Sequence, residues 1–228
     1  MNLTPEIISK ATGSTIEDAK KFKPYLNKYL RKYNIDTPTR IMAFLSQIGV
    51  ESAQLKRTRE YGDGSKYEGK TTLGNIYQGD GKKFLGRGLI QITGRTNYQG
   101  VQDNFGWNVI DNPDILEEPD KATEVSAWWW ANRKKDGKYL SEWADEINPN
   151  DSILDGKNYQ IFEKITRGIN GGTLGLEQRA KNYSRVEDKY SEIKQMAKIW
   201  FTKWWGMSIV AIMVIGGGIV LYKQFKNK

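Results

Sequence analysis

Apolar positions recur at helical spacing through most of the chain. Phe22, Leu26, Tyr29, Leu30 and Tyr33 form one such series, and Ile41, Phe44, Leu45, Ile48 and Leu55 another. Start signals precede these runs. Thr4-Pro5-Glu6 places a capping hydroxyl, a helix-compatible Pro and an acid in a first turn. Ser14-Thr15-Ile16-Glu17 starts a second helix, and Thr37-Pro38-Thr39 a third. The pattern changes from Tyr61 to Phe84, where glycines punctuate a polar stretch; this predicts a long ordered loop or a small irregular hairpin. Leu89-Ile90-Gln91-Ile92-Thr93 reads as a short strand.

Helices are predicted again over 122–133, around 140–147, over 159–169 up to the Gly171-Gly172 turn, and over 176–199. The last is long and charged, with Tyr183, Val186, Tyr190 and Ile193 on one face. Trp128, Trp129 and Trp130 cannot share one face of their helix. At least one belongs in the core, one is a candidate for a cleft wall, and none is assigned to substrate.

One segment stands apart. Residues 206–222 carry no charge, with Trp204, Trp205 and Tyr222 at the ends and Lys203 and Lys223 flanking them. Length, aromatic ends and cationic flanks predict a single transmembrane helix. The predicted organisation is a catalytic-sized domain over 1–198, an interfacial linker over 199–205, a membrane helix over 206–222 and a basic tail over 223–228. The stretch from Met1 to Lys23 is polar, so neither a signal peptide nor an anchor is expected there.

Charge fits this division. Of 35 Lys and Arg residues, five lie in 198–228, where there is no acid, which leaves 30 against 27 acids elsewhere. Excess positive charge beside an apolar segment suits an anionic membrane surface better than nucleic acid. The chain has no Cys and no His. Cys-His and Ser-His-Asp catalysis are therefore excluded, as are zinc sites built on those ligands. Any chemistry falls to carboxylates, hydroxyls, amides, Lys or Arg.

Glu51 is the first candidate. On a helix it follows Ile48 and Phe44 onto the apolar face, where an unpaired carboxylate would respond with a raised pKa and suit a general acid. The alternative is a Glu at the edge of that face, paired with Arg57 or Arg87. Glu60 stands beside Arg57 and Arg59 in polar surroundings that favour the ionised form. Two carboxylates in contrasting environments are the working pair of a glycoside hydrolase. In a strand, Gln91 and Thr93 share a face, and Asn97 and Tyr98 follow the turn at Gly94. Such groups suit sugar hydroxyls and acetamides or can hold a water. A third cluster is Ile169-Asn170-Gly171-Gly172 with Arg179 beyond it.

Together these segments resemble the family 19 glycoside hydrolases, in the shorter form used by bacteriophage endolysins and bacterial chitinases. Phe44-Leu45-Ser46-Gln47, Glu51-Ser52 and Arg59-Glu60 resemble the catalytic helix and loop. Tyr67-Glu68-Gly69, Leu73-Gly74-Asn75, Gly79-Asp80-Gly81, the run from Gly86 to Arg95, Ile165-Thr166-Arg167 and Ile169-Asn170-Gly171-Gly172 continue the likeness in order over roughly 35–190. The resemblance implies a mainly α, two-lobed, lysozyme-like fold with a small irregular β or loop region, to which the membrane helix is added. It implies Glu51 as general acid, Glu60 as the base that activates water and Thr93 as the group holding that water. Gln91, Asn97, Tyr98 and Asn170 fall at substrate-binding positions and Arg179 at a supporting cationic one. It implies inversion, which needs about 6.5–9.5 Å between the carboxyl groups. Val50 stands where the family often has His.

The expected function is a membrane-anchored, inverting peptidoglycan hydrolase of a bacteriophage, acting from the virion or in host lysis. The alternatives are a chitinase, or a non-catalytic wall-binding or virion structural protein keeping the fold. No metal or cofactor is expected. The expected partners are peptidoglycan strands, a bilayer at 206–222 and other virion membrane or capsid proteins, without nucleic acid. The expected place is a virion internal membrane or the host inner membrane.

Overall fold

The structure is a computed structural model that describes residues 2–196, and the backbone alone at 211–215 and 218–222. The three capping signals act as read. Thr4, Thr15 and Thr37 accept hydrogen bonds from the amides of Ile7, Asp18 and Arg40 and open α1 (Pro5–Thr12), α2 (Ile16–Lys32) and α3 (Pro38–Glu51). Further along come α4 (Asp80–Lys83), α5 (Arg95–Phe105), α6 (Pro119–Asn132), α7 (Leu140–Asp145), α8 (Gly156–Asn170) and α9 (Leu176–Ser184). A minimal hairpin, β1 (Lys134–Lys135) and β2 (Lys138–Tyr139), joins α6 to α7.

Two apolar cores make two lobes. The larger gathers α1, α2, α3, α7, α8 and α9 around residues such as Leu26, Phe44, Ile48, Phe162 and Tyr183. The smaller is built from Phe84, Ile90, Ile92, Tyr98, Val101, Val109, Leu116 and Val125. Helix α6 is the shared wall. Its Ala122, Ala127 and Trp130 face the larger core, while Val125, Trp128 and Trp129 pack on the smaller. Trp130 is fully buried, edge-on to Phe44 with ring centroids 5.6 Å apart, and its indole N–H donates to Ser141. Helices α1 and α3 approach so closely at Gly49 that a Cβ there would lie 2.4 Å from the Thr12 carbonyl oxygen.

Three expected elements differ. Leu89–Thr93 forms no strand. Gln91 turns into the left-handed region at φ 61°, and only single bridges of Arg87 to Arg59 and to Ile92 remain. The expected helix over 176–199 breaks after Ser184, passes through a 3₁₀ turn at Glu187–Lys189 and resumes over 190–196. Helix α3 stops at Glu51, so Leu55 is buried from a different conformation: Ala53, Gln54 and Leu55 are all left-handed, at φ 48°, 65° and 62°.

The expected membrane helix is also corrected. Ala211–Ile215 and Gly218–Tyr222 pair as antiparallel strands β3 and β4, with Ala211 opposite Tyr222 and Ile215 opposite Gly218. Ile212, Val214, Ile215, Ile219 and Val220 are β-branched, and three successive glycines at 216–218 weaken a helix. No helix among the described residues is long and apolar enough to cross a membrane. The linker 199–205, the tail 223–228 and the rest of 206–222 lie outside the described residues.

Candidate active site

Glu51 ends α3 at the face where the two lobes meet. It is not the unpaired carboxylate expected from periodicity, nor is its partner Arg57 or Arg87. Its Oε1 accepts a hydrogen bond from Arg179 Nη2 at 2.6 Å. Arg179 is buried at 2% exposure and comes from α9. Its Nη1 donates to Gln47 Oε1 at 2.7 Å, one turn before Glu51 on α3. Gln47 in turn donates to Thr166 Oγ1 on α8 at 2.9 Å. Three helices thus fix one carboxylate oxygen. Glu51 Oε2 receives no hydrogen bond among the described residues and stays available.

Glu60 enters from the other lobe. Its Oε1 accepts from the Gly86 amide at 2.7 Å, and its Oε2 from Tyr67 Oη at 2.9 Å and Lys66 Nζ at 3.0 Å. Hydrogen bonds to Tyr67 and to Glu60 raise the Lys66 pKa above its ordinary value, and burial raises that of the Tyr67 phenol. Lys66 therefore stays cationic beside Glu60 at neutral pH, and Tyr67 stays a donor.

The two carboxylates line one cavity of about 330 Å³, with Val50, Ala53, Arg57, Arg59, Tyr61, Lys66 and Gln91 as the rest of its wall. Gln91 also lines an adjoining cavity of about 470 Å³, together with Leu73, Thr93, Asn97, Trp129, Arg133 and Asn170. The two cavities make a groove between the lobes. Gly86 lies against the side chains of Glu60, Gln91 and Thr93 that line it. A Cβ on Gly86 would lie 3.0 Å from Gln91 Oε1, 3.2 Å from Thr93 Oγ1 and 3.3 Å from Glu60 Oε1. Three oxygens therefore surround one small space that only glycine leaves open.

The turn at Gln91 builds this arrangement. Gln91 Nε2 donates to the Gly88 carbonyl at 2.8 Å, which fixes the amide with its oxygen toward Gly86. Thr93 Oγ1 donates to the Gln91 carbonyl at 2.9 Å, and Asn97 Nδ2 to the Thr93 carbonyl at 2.7 Å. A left-handed non-glycine residue stores of the order of 1–3 kcal/mol of strain, which such bonds must hold. Asn170 borders the groove but closes its own loop, accepting from the Gly172 amide and donating to the Leu174 carbonyl.

Tyr98 is a correction. It is fully buried, its hydroxyl donating to the Leu85 carbonyl at 2.7 Å and accepting from Arg87 Nη1 at 3.0 Å. It supports the groove from behind and cannot touch a ligand in it. Sequence reasoning placed Gln47, Tyr67 and Gly86 inside the matching segments without giving them a role, and missed Lys66, whose place six residues beyond Glu60 in a glycine-rich loop was the one signal for it. Among the described residues no cluster of acids could hold a metal ion.

The model of glycoside hydrolase family 19, described as Chitinase class I, matches residues 42–201. A family 19 domain-containing protein of Haemophilus influenzae is 32% identical over 117 residues, which cover 51% of this chain and 48% of that protein. Chitinase 6 of rice (Oryza sativa subsp. japonica) is 27% identical over 119 residues, 52% of this chain and 36% of its own. The matched part thus spans about half or less of these relatives. Among solved structures, a bacterial family 19 chitinase superimposes with a TM-score of 0.55 at 20% identity, covering 86% of this chain and 95% of that one. A chitinase C variant gives 0.52 at 20% identity, covering 85% and 75%. At such identity these likenesses speak for the fold.

Proposed function

This chain belongs to glycoside hydrolase family 19, and on that premise we propose that it hydrolyses the glycan of peptidoglycan with inversion at the anomeric carbon. The observation that carries the proposal is the placement of Glu51 and Glu60 on opposite lobes of one cavity, with Thr93 and Gln91 aimed at the space beside Glu60. Water in that space attacks the anomeric carbon. Glu60 Oε1 takes its proton, and the Thr93 hydroxyl and Gln91 carbonyl group of the side chain orient it. Glu51 Oε2 delivers a proton to the departing glycosidic oxygen as the C–O bond breaks. Arg179, fixed on Oε1, then stabilises the carboxylate that remains. Gln91, Asn97 and Asn170 border the sugar groove.

Peptidoglycan is preferred over chitin for two reasons: the motif has its short, phage-like form, and the chain carries an uncharged apolar segment between Lys203 and Lys223. The setting we infer is a bacteriophage lytic enzyme held at a bilayer through 206–222, in the virion or in the host membrane. Chitin is the second reading, favoured by the likeness to rice Chitinase 6.

The test is incubation of the full chain, and of Glu51→Gln, with isolated peptidoglycan sacculi and with chitin oligosaccharides, followed by mass spectrometry. Saccharide release from sacculi by the wild type alone supports the proposal, and the anomer first formed reports inversion. Cleavage of chitin without sacculi moves the reading to chitin. Release of neither from a folded chain overturns both. Co-sedimentation with anionic vesicles, lost on deletion of 206–222, tests the attachment.

A further inference from the structure

The wall of the catalytic cavity carries more positive charge than its two carboxylates use. Arg57, Arg59 and Lys66 line it beside Glu51 and Glu60. Lys66 is spent on Glu60, at 3.0 Å, and Arg59 reaches Glu117 at 3.5 Å. Arg57 is different. It is half-buried, yet among the described residues its guanidinium makes no ion pair and no hydrogen bond. Its carbon Cζ lies 3.1 Å from the centroid of the Tyr61 ring. Tyr61 itself is 69% exposed. Arg57 and Tyr61 also line a second cavity of about 370 Å³ with Lys56, Thr58 and Arg59, so the pair stands where the catalytic cavity opens onto a basic surface.

Neither carboxylate of the site pairs with Arg57, although Glu51 Oε2 in the same cavity is open. Glu51 Oε1 is held by Arg179, and both oxygens of Glu60 are occupied by Gly86, Tyr67 and Lys66. A guanidinium held over a ring face is engaged by its carbon and leaves its N–H groups unused. They form a preset fork for a planar anion. Stacking also removes much of the rotamer freedom that a long side chain gives up on binding. Arg57 thus faces the cavity of Glu51 and Glu60 as a cation paired with neither, open to an anion from outside the chain next to the proposed scissile bond.

We infer that Arg57, stacked on Tyr61, binds a carboxylate of the substrate and selects carboxylate-bearing glycan over neutral glycan. The inference rests on the peptidoglycan reading and deepens it. In peptide-free strands the carboxylate is that of the lactyl ether on the muramic sugar. In peptide-bearing strands that group is an amide, and the carboxylates sit on the peptide. The shared chemistry is a planar carboxylate reaching the groove at the Glu60 side. Lys56 and Arg59 add a long-range attraction that salt screens.

The experiment measures binding, so that it is independent of turnover. Glu51→Gln and Glu51→Gln/Arg57→Gln full chains are titrated with peptide-free glycan strands, with the same strands after reduction of their carboxyls to alcohols, and with peptide-bearing strands. Glu51→Gln is expected to prefer native over reduced strands about tenfold, the effect of one desolvated guanidinium–carboxylate pair. Arg57→Gln collapses that preference to within about twofold, and Arg57→Lys in the same background retains part of it because the charge stays without the fork. Preference on peptide-free strands assigns the carboxylate to the sugar; preference only on peptide-bearing strands assigns it to the peptide. Equal affinity for native and reduced strands, with no preference for peptide-bearing ones, overturns the inference, as does a preference that survives Arg57→Gln. Carboxylate-dependent binding without saccharide release by the wild type sinks the hydrolase reading and leaves Arg57 standing. Release without carboxylate preference does the reverse.

Discussion

Arg179 Nη2 lies 2.6 Å from Glu51 Oε1, and its Nη1 lies 2.7 Å from Gln47 Oε1. A guanidinium buried to 2% exposure thus shares itself between one carboxylate and one amide, both on α3. Such a charge is tolerated because its partners are fixed by packing. Arg179→Met removes the cation and leaves the partly buried Glu51 carboxylate without its partner. The expected cost is about 3 kcal/mol in urea unfolding, within the range for breaking a buried pair. Turnover on the cleaved glycan falls at least about 100-fold, since a charge-stabilising contact is lost in the transition state. Arg179→Lys keeps the charge but reaches only one partner, and falls between. Full activity in Arg179→Met would show that Glu51 does not need this cation.

Gly86 is a position where stability and activity separate. Its backbone is not in the left-handed region, so alanine is conformationally acceptable. The three atoms nearest the added methyl are side-chain oxygens of Gln91, Thr93 and Glu60, at 3.0–3.3 Å. It occupies the space proposed for the attacking water. Gly86→Ala is expected to lower kcat about 100-fold or more while moving the unfolding midpoint by only a few degrees. A collapse of both together would mean that the space is structural.

Thr93 offers a finer comparison. Its hydroxyl donates to the Gln91 carbonyl at 2.9 Å, and its oxygen lies 3.2 Å from where a Cβ on Gly86 would stand. Thr93→Ser keeps that oxygen and should retain most activity. Thr93→Ala removes it and should lose about 10²-fold in kcat with little change in KM, as for loss of one orienting hydrogen bond. A change confined to KM would move Thr93 from positioning water to binding sugar.

The helical lobe was legible because its signals are local. Thr4, Thr15 and Thr37 cap their helices through neighbours three residues away, and Phe44 and Ile48 face the core by periodicity alone. The site was legible in its residue types but not in its geometry. Glu51 looked unpaired because Arg179 is 128 residues away in sequence. Gln91 and Thr93 looked like a strand because their apolar neighbours alternate; the competing turn depends on bonds to Gly88 and on the contacts of Arg87 with Glu117 and Asp114. Tyr98 looked like a ligand contact because a phenol is as apt for burial as for sugar. The run 206–222 read as a membrane helix from hydropathy, which does not separate helix from strand where β-branched residues and glycines crowd together.

The loop over 61–84 is held by a latch that pH can release. Asp80 is 2% exposed, and its carboxylate accepts from Arg95 Nε at 2.8 Å and Nη2 at 2.5 Å, and from the amides of Ile76 and Tyr77 at 3.1 Å. Hydrogen bonding to Arg95, followed by the backbone amides, holds its pKa below the ordinary carboxylate value despite burial. A group depressed in the folded state contributes stability that is fully present above its unfolded pKa of about 4 and is lost as pH falls through the folded value. The loop also supplies Thr72 and Leu73 to the groove wall, so the latch bears on substrate binding. The protection of the amides at 76–81, as intrinsic over observed exchange rate at each pH, should be high at pH 7 and fall below about pH 4. Asp80→Asn should be poorly protected at both pH values, lose about 3 kcal/mol of stability and show a raised KM. Protection in the wild type that ignores acid, with Asp80→Asn unchanged from it, would mean that Glu68, which accepts from the Gly79 and Gly81 amides at 2.7 and 2.8 Å, holds the loop without Asp80.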